Sequence, residues 1–229
     1  MRKAPEAVML FAAGFGTRMG ALTRDRPKPL IEVAGRPLID HALALAEAIG
    51  PERIVVNTHF RPEMIAAHLV DRGVLISPEQ PRILETGGGL KAALPLLGAG
   101  PVFAANTDAI WSGPNPLALL RAAWDPARMD GLLVCVPPAQ ARGHGGAGDF
   151  VADAEGRLTR GPGLIYGGAQ ILATEGLAAI EAEAFSLNLL WDRMLAEGRL
   201  FGLIYPGQWC DVGSPEGIAD AEDLLKRHV

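Results

Sequence analysis

AAGFGTRMGALTRDRPKPL, residues 12–30, combines glycines, basic residues and prolines directly after an apolar run. The run, EAVMLFAA at 6–13, has the composition of a buried β-strand, so the glycines fall in the turn that follows it. Glycines in such a turn let backbone N–H groups approach an anion closely. Arg18 and Lys28 add positive charge, and a proline on each side of the lysine restricts its backbone. This combination predicts a phosphate-binding loop.

The glycine spacing of this loop matches neither of two familiar phosphate-binding motifs. Gly14, Gly16 and Gly20 form G-x-G-x-x-x-G, whereas a dinucleotide-binding turn has G-x-G-x-x-G. A Walker A loop ends in Gly-Lys-Ser or Gly-Lys-Thr, and neither is present here. A glycine turn after a strand is often only a tight turn. The prediction of a phosphate site therefore depends on the arginine and lysine as well as the glycines.

Apolar strand patterns alternate with helical periodicity over the first part of the chain. Further strands are predicted at 53–59, 101–108 and 131–138, and helices at 37–50, 61–73, 88–98 and 115–124. Such alternation predicts an α/β fold with a doubly wound, mostly parallel sheet. Ligands of these sheets bind beyond the carboxyl ends of the strands. No linker divides the chain, so we expect a single domain over 1–229.

After residue 137 the alternation stops. The glycine-rich stretch 137–150 predicts an exposed, mobile loop. The segments 148–160 and 164–172 are interpreted as strands of a small antiparallel extension. A strand at 201–206 and helices at 186–197 and 215–227 complete the prediction.

Composition narrows the class of protein. The 229 residues are 49% hydrophobic and 21% charged, which is typical of a packed globular core. A net charge of −5 argues against a general nucleic-acid binder, and no apolar stretch has the length of a membrane span. Cys135 and Cys210 form no close-spaced metal motif, and so few thiols favour a cytoplasmic protein.

The pattern G-x-G-T-R-M-x-x-L-T-x-x-x-P-K-P-L at 14–30 resembles the N-terminal signature of sugar-1-phosphate nucleotidyltransferases. These enzymes join a nucleoside triphosphate to a sugar phosphate and release pyrophosphate, on a Rossmann-like sheet of the GT-A type. The resemblance implies that the loop wraps the triphosphate, that Arg18 holds the phosphates that leave, and that Lys28 lies near the reacting phosphates. The remaining nucleotide-binding residues that it implies in and beyond the loop are Ala13, Gly14, Gly16, Thr17, Glu79 and Asn106.

The same resemblance implies a Mg²⁺ ion held by two distant carboxylates. Asp108 ends the predicted strand 101–108 and is the third expected catalytic residue, although Thr107 replaces the glycine usual in the family. Asp211 lies in Trp209-Cys210-Asp211-Val212-Gly213, which resembles the family's W-x-D-V-G. Mg²⁺ accepts oxygen ligands, and one or two carboxylates plus substrate phosphates suffice. On residue type alone, each aspartate is also compatible with a cap or turn.

Three short stretches indicate the base and the sugar by resemblance. In LETGGG at 84–89, Thr86, Gly87 and Gly88 are expected near the base. This motif differs from the Gly-Thr-Ala-Gly of guanylyltransferases and resembles uridylyltransferases that act on N-acetylmuramic acid 1-phosphate. The Gly-Asp-Phe at 148–150 and the Phe-Ser-Leu at 185–187 point to the same subfamily.

The sugar contacts are expected in the second part of the chain, about 137–229, with the nucleotide in about 1–136. They are Gly148, Asp149, Gly168 and Arg160, the last replacing the lysine of a Glu-Lys-Pro segment that this chain lacks. Asn188 and Trp191 are candidates in the predicted helix 186–197.

The favoured function is therefore the reaction of UTP with N-acetylmuramate 1-phosphate to give UDP-N-acetylmuramate, a step of cell-wall recycling. The alternatives are mannose-1-phosphate guanylyltransferase or another sugar-1-phosphate nucleotidyltransferase, and a non-catalytic nucleotide-binding module. A nicotinamide oxidoreductase is disfavoured by the loop spacing. The expected ligands are UTP or another nucleoside triphosphate and a sugar 1-phosphate, with no nucleic acid or membrane partner. A monomer or a small homo-oligomer is expected.

Overall fold

A seven-stranded sheet runs through the centre of the computed structural model, which describes residues 4–226. The strands are β1 (Ala7–Phe11), β2 (Glu32–Val33), β3 (Arg36–Pro37), β4 (Arg53–Thr58), β5 (Leu75–Pro78), β6 (Val102–Asn106), β7 (Ala109–Ser112), β8 (Gly131–Val136), β9 (Ala141–Arg142), β10 (Phe150–Ala152), β11 (Leu158–Arg160), β12 (Ile165–Leu172), β13 (Leu200–Ile204) and β14 (Gln208–Asp211). The α-helices are α1 (Leu38–Glu47), α2 (Pro62–Leu69), α3 (Glu85–Leu97), α4 (Pro116–Ala123), α5 (Asn188–Ala196) and α6 (Pro215–Lys226).

The central sheet has the order β13-β8-β12-β6-β1-β4-β5. Every neighbouring pair is parallel except the two that involve β12, which is antiparallel to both β6 and β8. The predicted α/β fold with a mostly parallel sheet is confirmed. Within residues 4–226, no helix combines the length and apolar composition that a bilayer crossing requires.

The sheet is buried on both faces because its strands alternate their side chains between two layers of helices. In β1, Val8 and Leu10 pack with α1, α2 and α4, whereas Ala7 and Met9 pack with α3 and α5. Because helices cover both faces of the sheet, a ligand can reach it at the ends of the strands. The carboxyl ends of β1, β4 and β6 therefore share one edge.

Several predicted elements differ from the structure. The segment 164–172 does not belong to a separate antiparallel extension, because β12 is inserted in the central sheet and nearly all its residues are buried. Antiparallel pairing outside the central sheet involves the β10–β11 hairpin, the β7–β14 pair and the β2–β3 pair. Six strands were not predicted, because each has only two to four residues and little apolar alternation: β2, β3, β5, β7, β9 and β14.

The predicted helices form with shifted ends. Helix α2 ends at Leu69 rather than at 73, α3 begins at Glu85 rather than at 88, and α5 begins at Asn188 rather than at 186. The last residue of the predicted helix 215–227 lies outside the described residues. The predicted loop 137–150 contains the short strand β9, which pairs with β14.

The glycines at the start of α3 allow a distant chain segment to pack directly on the helix. The amides of Gly87 and Gly88 both donate to the carbonyl of Phe185, at 2.8 and 3.0 Å. A Cβ at Gly88 would overlap the carbonyl oxygen of Glu183, and a Cβ at Gly87 would overlap the Phe185 ring. The segment that leads into α5 is thereby fixed against α3.

We expect Gly88→Ala to destabilise the protein by about 1–3 kcal/mol, because the added methyl group overlaps backbone atoms that have no rotamer to change. Thermal unfolding of the variant measures this effect. Gly145→Ala is the matched control, since a Cβ there meets no atom within 4 Å. Equal melting temperatures for both variants would contradict the packing role of Gly88.

Candidate active site

A cavity of about 310 Å³ lies beyond the carboxyl ends of β1, β4 and β6. Its walls come from the loop after β1, from the residue that follows β5, from the start of α3 and from the end of β6. The predicted nucleotide-site residues that line it are Ala13, Gly14, Gly16, Thr17, Arg18, Lys28, Glu79, Thr86, Asn106 and Asp108. The structure therefore brings together residues that are up to 95 positions apart in the sequence, from 13 to 108.

The loop after β1 folds back on Lys28. Gly16 has a left-handed backbone, with φ of 64°, and a Cβ there would lie 2.8 Å from the Cβ of Lys28. The hydroxyl of Thr23 donates to the Gly16 carbonyl at 3.0 Å and closes the loop. Only a residue without a side chain fits both the conformation and the space. Gly16 thus allows the lysine to approach the loop backbone.

Lys28 forms an ion pair with Asp108 in the cavity. Its Nζ donates to Oδ2 of the aspartate at 2.6 Å, and the lysine is only 9% exposed. Thr107 holds the strand end in place, because its hydroxyl donates to the carbonyl of Phe11 at 2.8 Å. The threonine that replaces the family's glycine therefore ties β6 to β1. The pair joins the end of one strand to the loop that follows its neighbour.

Asp211 stands beside this ion pair. Burial raises the pKa of its carboxyl, and the charge of Asp108 raises it further, while Lys28 and Arg18 act in the opposite direction. The amide of Val212 donates to the carbonyl of Asp108 at 2.9 Å, so the two aspartates lie on contacting backbone segments. A Cβ placed on Gly213 would lie 2.8 Å from Oδ2 of Asp211 and 2.9 Å from Nη1 of Arg18. Two carboxylates and two cations thus converge on one spot.

The carboxylate pair fits a hard divalent cation that takes its other ligands from elsewhere. Asp108 and Asp211 offer oxygen donors, the ligand type that Mg²⁺ prefers. Across residues 4–226, no cluster of three or more His, Cys, Asp or Glu residues forms a self-sufficient metal site. The donor set therefore suits an ion that also binds substrate phosphates.

A third apolar cluster positions the loop relative to Asp211. Met19, next to Arg18, is buried with Val33, Ile110 and Val212, which come from three different strands or strand ends. Since Met19 is only 1% exposed, its anchoring fixes the start of the arginine side chain. This packing explains why the motif at 14–30 has a methionine at position 19.

Glu79 is a buried carboxylate at the opposite end of the cavity. Its Oε1 accepts from Nδ2 of Asn57 and its Oε2 from the amide of Leu84, both at 2.6 Å. Asn57 in turn accepts from the amide of Ala12 at 2.7 Å. This network joins β1, β4 and the start of α3. Sequence analysis missed Asn57, although a polar residue at the end of the strand RIVVNTH was a usable signal.

Gly87 and Gly88 lie behind the cavity wall rather than in it. Their amides are engaged by Phe185, so these donors are not directed at a ligand. Thr86 and Glu85 do line the cavity, and the Thr86 hydroxyl accepts from the amide of Leu187 at 3.0 Å. Contact of the two glycines with a base stays a prediction, whereas Thr86 is placed where a ligand reaches it.

The residues predicted to bind the sugar lie on an adjoining wall formed by β10, β11, β12 and α5. Gly168, with φ of 87°, has room for no Cβ because Asn106 of the cavity lies 3.0 Å from that position. Asp149 accepts from the amide of Tyr166 at 2.8 Å, and Gly148 packs against Gly163. None of the four predicted sugar contacts, Gly148, Asp149, Arg160 and Gly168, belongs to the cavity lining, and Gly168 adjoins it through Asn106. Their contact with a sugar stays a prediction.

Residues 8–182 match the family model of the MobA-like NTP transferase domain. The chain belongs to this family. It is 42% identical to N-acetylmuramate alpha-1-phosphate uridylyltransferase of Caulobacter vibrioides, over 98% of this chain and 99% of the relative. It is 33% identical to the enzyme of the same name from Neisseria meningitidis, over 94% and 96% of the two chains.

A solved structure shows the same fold. The inositol-1-phosphate CTP transferase from T. maritima superposes with a TM-score of 0.78 at 17% identity, covering 100% of this chain and 99% of the other. The family model and the relatives confirm the resemblance to nucleotidyltransferases that the sequence predicts. The structural likeness confirms the fold class.

We expect Asp211→Asn to raise the melting temperature at neutral pH in buffer that contains a chelator. A raised pKa means that the folded protein disfavours the ionised carboxylate, and this unfavourable contribution is lost as the pH falls through the raised pKa. The neutral amide removes it at all pH values, so the gain is largest above that pKa. The exposed Asp71→Asn variant is the control, and an Asp211→Asn protein less stable than wild type would contradict the assignment.

Proposed function

We propose that this chain joins UTP to N-acetylmuramate 1-phosphate and releases pyrophosphate, giving UDP-N-acetylmuramate for cell-wall recycling. The near full-length similarity to two uridylyltransferases supports the substrates. The observation that carries the chemistry is the Lys28–Asp108 ion pair next to Arg18 and Asp211. Nucleotidyl transfer, like phosphoryl transfer, requires positive charge and metal-binding oxygens close to the reacting phosphorus.

In the proposed reaction, an oxygen of the sugar 1-phosphate attacks the α-phosphorus of UTP. A new P–O bond forms as the bond from the α-phosphorus to the bridging oxygen of the β-phosphate breaks, and pyrophosphate takes the electron pair. The attacking phosphate is already ionised near neutral pH, so no general base is needed. Nor does a cysteine serve as nucleophile, because burial raises the pKa of the Cys135 and Cys210 thiols to about 12.

Lys28 and Arg18 neutralise the charge that builds up during transfer. Lys28 is held against Asp108 before substrate binds, so its position requires little reorganisation. Arg18, on the loop around the triphosphate, offers a two-pronged donor to the leaving pyrophosphate. Asp108 and Asp211 would hold Mg²⁺, which supplies charge neutralisation at the phosphate oxygens when bound.

Glu79 supports uracil as the base. Each of its oxygens already accepts one protein hydrogen bond, and an ionised carboxylate can only accept more. Uracil offers the N3–H donor, whereas the corresponding ring nitrogens of cytosine and adenine are acceptors. Guanine also offers a ring N–H at this edge, so GTP with a sugar such as mannose 1-phosphate is the second candidate.

We also propose that the chain forms one domain, in which about 1–136 bind the nucleotide and about 137–229 bind the sugar. The protein is proposed to be cytoplasmic and to be a monomer or a small homo-oligomer. Cys135 and Cys210 are both free thiols, as is usual in a reducing compartment.

Pyrophosphate release with Mg²⁺ tests the substrates directly. The four ribonucleoside triphosphates are each combined with the 1-phosphates of N-acetylmuramate, N-acetylglucosamine, glucose and mannose. We expect the highest kcat/KM for UTP with N-acetylmuramate 1-phosphate. A preference for GTP with mannose 1-phosphate would favour the second candidate, and no release with any pair would reject the enzyme class.

Lys28→Met and Asp108→Asn are each expected to lower kcat by about 100–1000-fold, the usual effect of removing one charge-stabilising group. Steady-state pyrophosphate release measures the loss. Arg24→Met removes an exposed cation of the same loop that does not line the cavity, and should leave kcat unchanged. Wild-type turnover in either of the first two variants would remove that residue from the mechanism.

Glu79→Gln is expected to destabilise the protein by about 1–3 kcal/mol, because an NH₂ group replaces an acceptor that faces either Asn57 Nδ2 or the Leu84 amide. It should also raise the KM for UTP. Glu85→Gln changes another cavity carboxylate, one that is exposed, and is the control for stability. If Glu79→Gln unfolds like wild type, the network does not hold this end of the site.

A further inference from the structure

Arg160 does not line the cavity, but two separate chains of contacts connect it to residues at the cavity. On one route, Ala169 of β12 pairs with Ala105 of β6, so Tyr166 at the start of β12 extends past the end of β6 towards Asp108. The Tyr166 ring lies 4.8 Å from the Trp191 ring, and the Arg160 guanidinium lies 5.7 Å from that indole.

The second route starts at the opposite end of the cavity. Thr86 of the lining accepts from the amide of Leu187. The next residue, Asn188, accepts from Nη2 of Arg160 at 2.7 Å. The guanidinium is thus connected to the cavity residue Thr86 through the segment that leads into α5.

The guanidinium is held in a fixed orientation. Its plane is contacted by the ring of Phe150, at 4.9 Å from the centroid, in addition to Trp191. Its Nε and Nη2 donate to Oδ1 of Asp192 at 3.3 and 2.8 Å. The side chain is nevertheless 41% exposed. Aromatic stacking and three hydrogen bonds at an open surface are more than a solvated arginine requires.

This arrangement leaves one end of the guanidinium for a ligand. Arginine has five N–H donors, and Nε and Nη2 supply three. Within residues 4–226, no acceptor bonds Nη1. The two N–H groups of Nη1 are therefore available to donate to an oxygen of an anion, while Nε and Nη2 stay paired with the protein.

The anion is not the phosphate of the sugar. Lys28 and Asp108 mark the reacting end and line the cavity, whereas Arg160 lies outside that lining and contacts Trp191, which packs on Tyr166. A sugar whose 1-phosphate lies at Lys28 therefore presents a ring substituent, not the phosphate, to this arginine.

We propose that Arg160 binds the carboxylate of an acidic sugar 1-phosphate and so selects it over the neutral sugar. The inference rests on the proposed function, in which N-acetylmuramate 1-phosphate carries a lactyl carboxylate that N-acetylglucosamine 1-phosphate lacks. It changes the role expected from the sequence, where Arg160 replaces a lysine that contacts the sugar phosphate. Arg160 is a specificity residue and takes no part in bond formation.

The test compares kcat/KM for the two sugar 1-phosphates, with UTP saturating, in wild type and Arg160→Ala. Loss of a hydrogen bond to a charged group corresponds to about 10–100-fold. We expect a loss of this size for the acidic sugar, through KM, with the neutral sugar and the KM for UTP unchanged. Arg160→Lys should recover part of the preference.

Arg157→Ala is the matched control. Arg157 lies in the same hairpin, with a side chain 44% exposed. It contacts the Phe201 ring, whereas Arg160 contacts the rings of Phe150 and Trp191. It should leave both substrates and the melting temperature unchanged. An equal loss for both sugars in Arg160→Ala, or no loss for either, would overturn the proposal.

Calorimetric binding of the two sugar 1-phosphates separates this inference from the proposed reaction. Failure of wild type to turn over any UTP pair rejects the function. In that case, tighter binding of the acidic sugar to wild type than to Arg160→Ala still supports the arginine contact, and equal binding to both rejects it.

Discussion

The ion pair between Lys28 and Asp108 is the interaction on which the rest of the site depends. It requires Gly16 to adopt a left-handed backbone, Thr107 to fix the end of β6, and the loop after β1 to close around the lysine. A largely buried pair contributes little net stability, because removing both charges from water offsets their attraction. Asp211 adds a second carboxylate whose pKa is raised by burial and by Asp108. The protein therefore accepts an unfavourable concentration of charge at the point where phosphates would bind.

The one antiparallel strand of the central sheet, β12, explains how the wall formed by β10, β11, β12 and α5 comes close to this point. Parallel strands place the residues that follow them at the carboxyl edge of the sheet. Strand β12 runs the other way, with Tyr166 opposite Cys135 and Leu172 opposite Gly131 of β8, so its first residues lie at that edge. The hairpin that precedes β12 is consequently brought beside the cavity, and Arg160 with it. Helix α5 completes the wall because its leading segment is fixed to the glycines of α3.

The sequence was sufficient where the information was local. The glycine loop after β1, Lys28 and the strand-end Asp108 follow from a contiguous motif and from strand alternation, and all of them line the cavity. The short strands β5, β7, β9 and β14 and the place of β12 depend on pairing between distant segments, which local patterns do not encode. Gly87 and Gly88 were expected near the base, and local patterns did not indicate that a carbonyl from a distant segment accepts from both amides. Asn57 was missed because its role appears only when Glu79 is brought next to it.

In the proposed reaction, the charges around Lys28 act on the α-phosphorus of UTP. The most direct measurement uses UTP labelled with ³²P at the α- or the γ-position, with Mg²⁺ and N-acetylmuramate 1-phosphate, and follows the label by chromatography. We expect the α-label to enter the nucleotide sugar and the γ-label to appear only in pyrophosphate. Transfer of the γ-label to the sugar, or α-label left in UMP with no labelled sugar product, would contradict it.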